Sequence, residues 1–574
     1  MRKRKPPTGE ATLSSPEKKL AENRLRDANL KRRTGGGPRP RLSAASANQR
    51  LKSDPRRPSL RAGLAVIGGR AAGALSRRLH LGGGTSIVGL VAQRFYPDIA
   101  GHLATQLEYG SIFVTGTNGK TTTSGFIAAI LSDAGLRVWR NREGSNLMRG
   151  IAGALVMRAR PTGRLRRGGR AISILEVDEA VVPQVVRSIS PRVAVFTNLF
   201  RDQLDRYGEI ETVATRWRQA VAMLPGTTTL VLNADDPTTA HLGESFAGRV
   251  LYFGVDDPAL DLAEQNNSSE RHQVADIRTC PHCGSDYTYT LRFYSHMGHY
   301  HCPNCGLARP QPDVRAVKVH ADGFDRLRIQ VQTLTQQGEI VIPLPGLYNI
   351  YNALAAITTA SILQVEWRPI VSGIEQFKPA FGRGERVQVE GRTLRLMLAK
   401  NPTGFNEVLR TLFSDQTPRH ILFILNDNIA DGRDISWIWD VDFEQARGST
   451  PIAVVAGTRA LDLALRLKYA GFAQQDLIIV TSAPLRAARH NGRLIQPRRA
   501  SKNGNAERQV KAGMVNHSSL TGRYGIVEAL NVAIRETPAG ETLFVVPTYT
   551  GLLEVHRELE RRGLTPHYWD EKGP

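Results

Sequence analysis

The sequence is poor in cysteine, with four in 574 residues, all between Cys280 and Cys305. That distribution excludes a scattered disulfide framework and points to a reducing, cytoplasmic setting. Long apolar runs are missing too. No stretch approaches the roughly 18 uninterrupted apolar residues of a transmembrane helix. Met1-Arg2-Lys3-Arg4-Lys5 would suit the start of a secretory leader, but Pro6, Pro7 and Glu10 stand where its apolar stretch would follow. Aromatic residues make up only 6% of the chain and are scarce in its most basic stretches, which weakens a nucleic-acid reading that would need stacking side chains or a recognition helix.

Basic charge, in contrast, is abundant, with 76 Lys and Arg against 53 Asp and Glu. Residues 1–60 hold 17 basic and 5 acidic side chains, 158–170 hold six arginines and no acid, and 486–511 hold eight basic residues and one acid. These segments carry the whole excess, so the body of the chain is close to neutral. Their Gly, Pro, Ser and Asn content is that of solvated tails and insertions, and attraction to an anionic inner membrane face is the other use for such charge. The expected location is the cytoplasm, at most peripheral to that membrane face, and no specific nucleic acid is expected as a partner.

The length calls for two to four domains. A basic disordered tail is expected over 1–55, then helical apolar spacing from about 60 to 106. Strand and helix patterns then alternate, with strands at 111–115, 171–176, 193–197 and 228–232 and helices at 121–134 and 181–189. That order predicts a parallel α/β sheet with crossover helices. A second α/β series, with strands at 420–425, 452–456, 476–480 and 542–547, puts a domain boundary near residue 388. The expected units are 56–387, with a cysteine-bearing insert at about 275–312, and 388–574, with a basic insertion at about 486–511.

Val114-Thr115-Gly116-Thr117-Asn118-Gly119-Lys120-Thr121-Thr122 falls between a predicted strand and a predicted helix. In that setting glycines let backbone N–H groups turn toward phosphate oxygens, and the helix N-terminus adds partial positive charge. Lys120 reaches the outer phosphates and the Thr121 hydroxyl suits Mg²⁺. The usual glycine spacing of a phosphate loop is not met, since Val114 stands at the first glycine position.

This loop, TGTNGKTT, resembles that of the Mur ligase family of ATP-dependent ligases. Leu175-Glu176-Val177-Asp178-Glu179 is similar to the family's acidic strand end, which implies that Glu176 holds Mg²⁺. Thr197-Asn198-Leu199 leading to Asp202-Gln203-Leu204-Asp205-Arg206-Tyr207, then Asn233-Ala234-Asp235-Asp236, follow in family order. Gly346-Leu347-Tyr348-Asn349-Ile350-Tyr351-Asn352-Ala353 resembles the helix start whose asparagines contact adenine. ATP contacts are therefore expected from Gly116, Thr117, Asn118, Gly119, Lys120, Thr121, Thr122, Asn349 and Asn352. Singly, Asn233 and Asp235 read as ordinary turn residues. Three positions depart from the amino-acid-adding members. Gln203 replaces a histidine that helps hold a second metal, residues 201–250 lack the lysine that is carbamylated there, and Met397 stands at the place of the ribose-binding aspartate.

Cys280-Pro281-His282-Cys283 and Cys302-Pro303-Asn304-Cys305 are separated by eighteen residues. Two such knuckles bring four thiolates to a closed structural Zn²⁺ site, and Gly284 and Gly306 suit the tight turns after each pair. His282, His296, His299 and His301 could replace a thiolate, although four cysteines suffice. Such a ribbon is expected to be scaffolding.

In the second series the strand at 420–425 leads into Asn426 to Asp440, including Asp431-Gly432-Arg433-Asp434-Ile435-Ser436-Trp437-Ile438-Trp439. Ligands of α/β sheets bind beyond strand carboxyl ends, so chemistry or a partner is expected there, and the two tryptophans are expected to pack on something. With the ribbon, Asp-Gln-Leu-Asp, Lys400-Asn401-Pro402-Thr403-Gly404 and Pro547-Thr548-Tyr549-Thr550, this loop resembles the MurT family, Mur-ligase-like subunits of lipid II isoglutaminyl synthase. The resemblance implies a Mur-ligase central P-loop-type α/β domain with an inserted four-cysteine zinc ribbon, followed by a smaller Rossmann-like α/β domain. It also implies ATP-dependent amidation of the D-glutamate α-carboxylate in lipid II through an acyl phosphate, with ammonia from a GatD-type glutaminase. Lys120 and Glu176 would act in phosphoryl transfer. An aspartate of the second domain would complete the partner's Cys-His pair, Asp434 being favoured and Asp431 the alternative. An amino-acid ligase acting alone and a non-enzymatic scaffold are the rival readings.

Overall fold

The computed structural model describes residues 59–79, 85–141, 145–166, 170–202, 210–262, 276–378, 382–413, 415, 417–481 and 524–565. The expected tail, the 486–511 insertion and Gln203 lie outside them.

Among the described residues three helices lead in, α1 (Leu60–Arg78), α2 (Thr85–Phe95) and α3 (Ile99–Ala104). The first α/β series is β1 (Ser111–Thr115), α4 (Lys120–Asp133), β2 (Arg137–Arg140), α5 (Met148–Arg158), β3 (Ala171–Glu176), α6 (Val182–Ser188), β4 (Val193–Phe196), α7 (Ile210–Ala222), β5 (Thr229–Asn233) and β6 (Arg249–Val255). A hairpin, β7 (Thr288–Tyr294) and β8 (Met297–His301), precedes β9 (Val314–Asp322), β10 (Arg326–Gln332), β11 (Gln337–Ile342), α8 (Tyr348–Ile362) and α9 (Trp367–Glu375).

These strands form a nine-stranded sheet in the order β11-β10-β9-β6-β5-β4-β1-β3-β2. From β2 to β9 it is parallel, and β10 and β11 add an antiparallel edge. Every residue of β1, β3, β4 and β5 is buried, as expected where helices cover both faces. Phe113, Leu175, Phe196 and Leu232 share one core with α1, α2, α3, α5, α6 and α7. Helices α4, α8 and α9 pack together, with α4 on β1–β3 and α8 on β4, β5, β6 and β9. Central β1 has β3 on one side and β4 on the other, so the loop leaving it opens at a topological switch point, where α/β sheets take ligands.

The ribbon region sits between β6 and β9, which pair as parallel neighbours through Phe253 and Val314. The second sheet contains β12 (Arg383–Val389), β13 (Arg392–Met397), β14 (His420–Ile424), β15 (Ala453–Ala456), β16 (Leu477–Ile479) and β17 (Thr542–Pro547), in the order β12-β13-β17-β14-β15-β16. All but β12 run parallel. Helices α10 (Pro402–Phe413), α11 (Ala460–Tyr469) and α12 (Tyr524–Glu536) lie between the strands in sequence, α13 (Tyr549–Arg561) follows the last of them, and an apolar core lies on each face. The chain enters this sheet at β12, ahead of the change near residue 388 expected from sequence. The Arg383-Gly384-Glu385 stretch pairs with β13 across an irregular register.

Candidate active site

The phosphate loop joins β1 to α4. Gly119 caps the helix with φ 86°, and Gly116 has φ 139°. A Cβ on Gly119 would lie 2.0 Å from Asn352 Oδ1, and one on Gly116 would lie 2.0 Å from Thr197 Oγ1. Only glycine therefore fits at either place. Asn198 fixes the loop from β4's end, its Oδ1 accepting from Asn118 N at 2.8 Å and its Nδ2 donating to Asn118 O at 3.1 Å. Thr197 Oγ1 donates to Asn118 O at 2.9 Å.

Lys120 Nζ donates to Gly116 O at 2.5 Å and to Glu179 Oε1 at 2.6 Å. Glu179 is buried, which pushes its carboxyl pKa up, while the Lys120 ammonium pulls it back. The carboxylate of Glu176, at the end of β3, gathers Thr121 Oγ1 at 2.9 Å, Ser124 Oγ at 2.7 Å and Arg140 Nη2 at 3.2 Å. Thr121 and Glu176 thus present a hydroxyl and a carboxylate to one point, the all-oxygen donor set that suits a hard cation such as Mg²⁺.

Beside the loop lies a cleft of about 830 Å³, walled by Asn118, Gly119 and Thr122 from the loop, Asn349 and Asn352 from α8, and Met397, Leu398 and Glu407 from the second domain. Asn352 Nδ2 donates to Asn349 Oδ1 at 3.0 Å, and Asn349 Nδ2 donates to Pro345 O at 2.6 Å. The ribbon hairpin adds Tyr294 to the wall. Arg410 of α10 donates to Phe293 O at 2.9 Å and to Glu407 Oε2 at 2.6 Å, tying the hairpin to the second domain.

The four cysteine sulfurs lie within 4.8 Å of one another, Cys280 to Cys305 at 3.5 Å and Cys283 to Cys302 at 3.4 Å. A tetrahedral site with Zn–S near 2.3 Å has sulfur–sulfur edges of roughly 3.8 Å, so the cluster fits zinc. Gly284 and Gly306 N–H groups return to the carbonyls of Cys280 and Cys302, at 2.9 and 3.0 Å, with φ 74° and 77°. His282, His296, His299 and His301 are not part of the cluster.

In the second domain the loops after β14 and β17 meet. Asp431 is buried and takes two bonds from Thr550, from its N at 2.8 Å and its Oγ1 at 2.5 Å. Burial pushes its carboxyl above the usual range. Asp434 is exposed and accepts from Ser436 N at 2.8 Å, which holds its carboxyl below the usual range. The expectation for the tryptophans holds for Trp437, which packs near Phe405 with centroids 6.1 Å apart. Trp439 instead stays 51% exposed beside Tyr469, itself 71% exposed, at 5.7 Å.

Two family models match the chain, the Mur ligase middle domain over residues 114–308 and the MurT ligase C-terminal domain over 398–494. The lipid II isoglutaminyl synthase (glutamine-hydrolyzing) subunit MurT of Staphylococcus aureus strain COL is 33% identical over 408 residues, covering 71% of this chain and 86% of that protein. The chain belongs to the MurT family. The MurT protein of Streptococcus pneumoniae is 33% identical over 420 residues, 73% of this chain and 89% of its own. Among solved structures, a pseudomurein peptide ligase type C from Methanothermus fervidus is similar with TM-score 0.55 and 22% identity, covering 79% of this chain and 78% of its own. MurF from Acinetobacter baumannii is similar with TM-score 0.53 and 16% identity, covering 83% and 79%. Both share the Mur ligase fold, and this chain is an ATP-dependent ligase.

The structure brings together the loop from Gly116 to Thr122, Glu176, Asn349 and Asn352. Asp434 and the cysteine cluster lie elsewhere, and none of them lines the cleft. Sequence reasoning overlooked Glu179, although it stands in the same acidic block as Glu176, and gave no signal for Arg140, Tyr294 or Glu407. Asp235, read as a turn residue, does lie in the turn after β5, and it is also fully buried, taking bonds from Arg309 Nε at 2.5 Å, Tyr351 OH at 2.8 Å and Val255 N at 2.8 Å. Met397, at the aspartate's expected place, turns an apolar side chain into the cleft wall. Among the described residues no helix is long and apolar enough to cross a membrane.

Proposed function

We propose that this chain is the ATP-using subunit of a lipid II isoglutaminyl synthase, amidating the α-carboxylate of D-glutamate in the stem peptide of lipid II. The observation that carries the reading is that the family matches cover both the nucleotide domain and the domain bearing the Asp434 loop. ATP would phosphorylate the carboxylate, releasing ADP. Ammonia would then attack the carbonyl carbon of the acyl phosphate and expel inorganic phosphate, leaving D-isoglutamine. Lys120 and the N-terminus of α4 would neutralise charge on the phosphoryl group. Thr121 and Glu176 would hold Mg²⁺, which supplies further charge neutralisation when bound.

Free ammonia is mostly protonated at neutral pH, so a partner must deliver it. All four cysteines are gathered in the ribbon cluster, so the thiol for glutamine hydrolysis must come from another chain. A GatD-type glutaminase fits that need. Asp434, ionised and exposed, is suited to orient the partner's histidine as an aspartate does in other triads. Asp431 is already spent on Thr550. Exposed Trp439 and the α11 stripe Leu461, Leu465 and Tyr469 offer an apolar docking face near the loop.

Reconstitution with such a glutaminase, ATP and lipid II tests this, with amide formation read by mass spectrometry. Wild type should use glutamine and ammonium, whereas Asp434→Asn should keep ammonium-dependent amidation and lose the glutamine-dependent reaction. Equal use of glutamine by both proteins would overturn the Asp434 assignment. No amidation by wild type from either nitrogen source would overturn the whole reading.

A further inference from the structure

Helix α1 is built with its apolar sizes inverted. Its packed face is made of small residues, and backbones meet there. A Cβ on Gly69 would lie 2.7 Å from Val88 O, and one on Gly63 would lie 2.6 Å from Pro161 O. Its large side chains point out, with Leu60 89%, Leu64 60%, Ile67 52% and Leu75 56% exposed. The spacing 60, 64, 67, 75 keeps them on one stripe. On α2, Leu90 and Phe95 are 58% and 57% exposed, and the Phe95 ring lies against Gly68, so the two helices share the surface. A water-facing helix keeps large apolar residues inside, and contiguous exposed ones mark a surface that meets something apolar.

Charge says what. Residues 60–97 contain five arginines and no acid, and Arg61, Arg77, Arg78 and Arg94 are exposed. A second basic segment arrives from far along the chain, because the turn at Pro161–Gly163 packs on Ala62 and Gly63. It brings exposed Arg160, Arg164, Arg166 and Arg170, with Glu108, which accepts from Arg170 N at 2.5 Å, as an acidic neighbour. The strongly basic residues 1–58 run directly into α1. An apolar stripe rimmed by arginine is the chemistry of an anionic bilayer interface. A second copy would set like-charged rims against each other.

We infer that the outer face of α1 and α2 is a docking surface for a bilayer containing anionic phospholipid. It is argued from these helices alone, and a lipid-linked substrate would give it a purpose. The test is co-sedimentation of the full chain with phosphatidylcholine vesicles, with and without phosphatidylglycerol, comparing wild type, the triple variant Leu64→Ser, Ile67→Ser, Leu75→Ser, and a chain lacking residues 1–55. Wild type should bind the anionic vesicles. The triple variant should lose about tenfold or more in partition coefficient, with nucleotide binding and thermal midpoint unchanged, and the truncated chain should keep stripe-dependent binding. Equal binding by wild type and the triple variant, no binding by wild type, or a solution dimer that the triple variant makes monomeric would each overturn the proposal. Amidation of a detergent-dispersed substrate reports separately on the proposed function.

Discussion

Replacing Asp431 and replacing Asp434 by asparagine should have opposite consequences, although the two residues stand three apart. Asp431 is 4% exposed and takes two hydrogen bonds from Thr550, in the first turn of α13 just beyond the end of β17. A hydrogen bond to a charged group contributes about 1.5–3 kcal/mol. Asparagine keeps one acceptor oxygen but turns an amide N–H₂ toward a donor, so Asp431→Asn should cost about 2–4 kcal/mol. For a domain of this size that lowers the thermal midpoint by roughly 5–15 °C. Burial raises the Asp431 pKa above the ordinary 3.8. The stability the group contributes is therefore full below that value and declines as pH rises through the raised one, so the gap between wild type and variant should narrow from acid toward neutral pH. Asp434 is exposed and asparagine can still accept from Ser436 N, so its replacement should stay within about 0.5 kcal/mol. Denaturant titrations of both variants, run beside glutamine- and ammonium-dependent assays, check the contrast. An Asp431→Asn protein with wild-type stability and a specific loss of glutamine use would refute the division of roles.

Gly119→Ala should lower stability by about 1–2 kcal/mol for the left-handed backbone alone, and displacing Asn352 should weaken ATP binding about tenfold or more, measured by calorimetry. Wild-type affinity there would place the nucleotide elsewhere. Glu179→Gln should leave the buried Lys120 without its counter-charge, so ATP should raise the variant's thermal midpoint more than that of wild type, and a smaller rise would show that Glu179 itself assists nucleotide or metal binding. Removing zinc with a chelator, or Cys302→Ser, should loosen the hairpin bearing Tyr294 and the Phe293–Arg410 bond, and so weaken nucleotide binding as well as lower the thermal midpoint. Metal analysis should find one zinc per wild-type chain, and unchanged ATP affinity after its loss would detach the ribbon from the cleft.

The central strands were legible because strands buried on both faces read as short runs of β-branched and apolar residues, as in Ser111–Thr115 and Ala171–Glu176. Arg137–Arg140 was not, since three of its four side chains are partly or fully exposed. The antiparallel edge made by β10 and β11 alternates polar and apolar residues and carries no family motif. The phosphate loop announces itself because its glycines serve backbone geometry that nothing else satisfies. Glu179 could be read as a neighbour of Glu176 but not as the partner of Lys120, because a contact across 59 positions leaves no local pattern. Helix α1 misleads in another way. Its periodicity is visible, but close packing through glycine and alanine reverses which face is inside, and hydropathy alone cannot show that.

Adjacent residues of one segment join the two candidate centres. Asn198 holds the phosphate loop, Arg201 pairs with Asp276 at 2.6 Å and with Asp440 at 3.1 Å, and Asp202 pairs with Lys400. Asp440 closes the loop that carries Asp434, and Asn401, next to Lys400, donates to Asn118 Oδ1 at 3.1 Å. Asn198, Arg201 and Asp202, three residues closely following β4, thus touch the nucleotide site, the approach to α10 and the proposed partner loop. Ion pairs at such a junction contribute modestly to stability when partly exposed, but they fix relative position. A nucleotide that rearranges Asn118 would therefore be felt at Asp440, and a partner seated on the Asp434 loop would be felt at the phosphate loop, with equal coupling free energy in both directions.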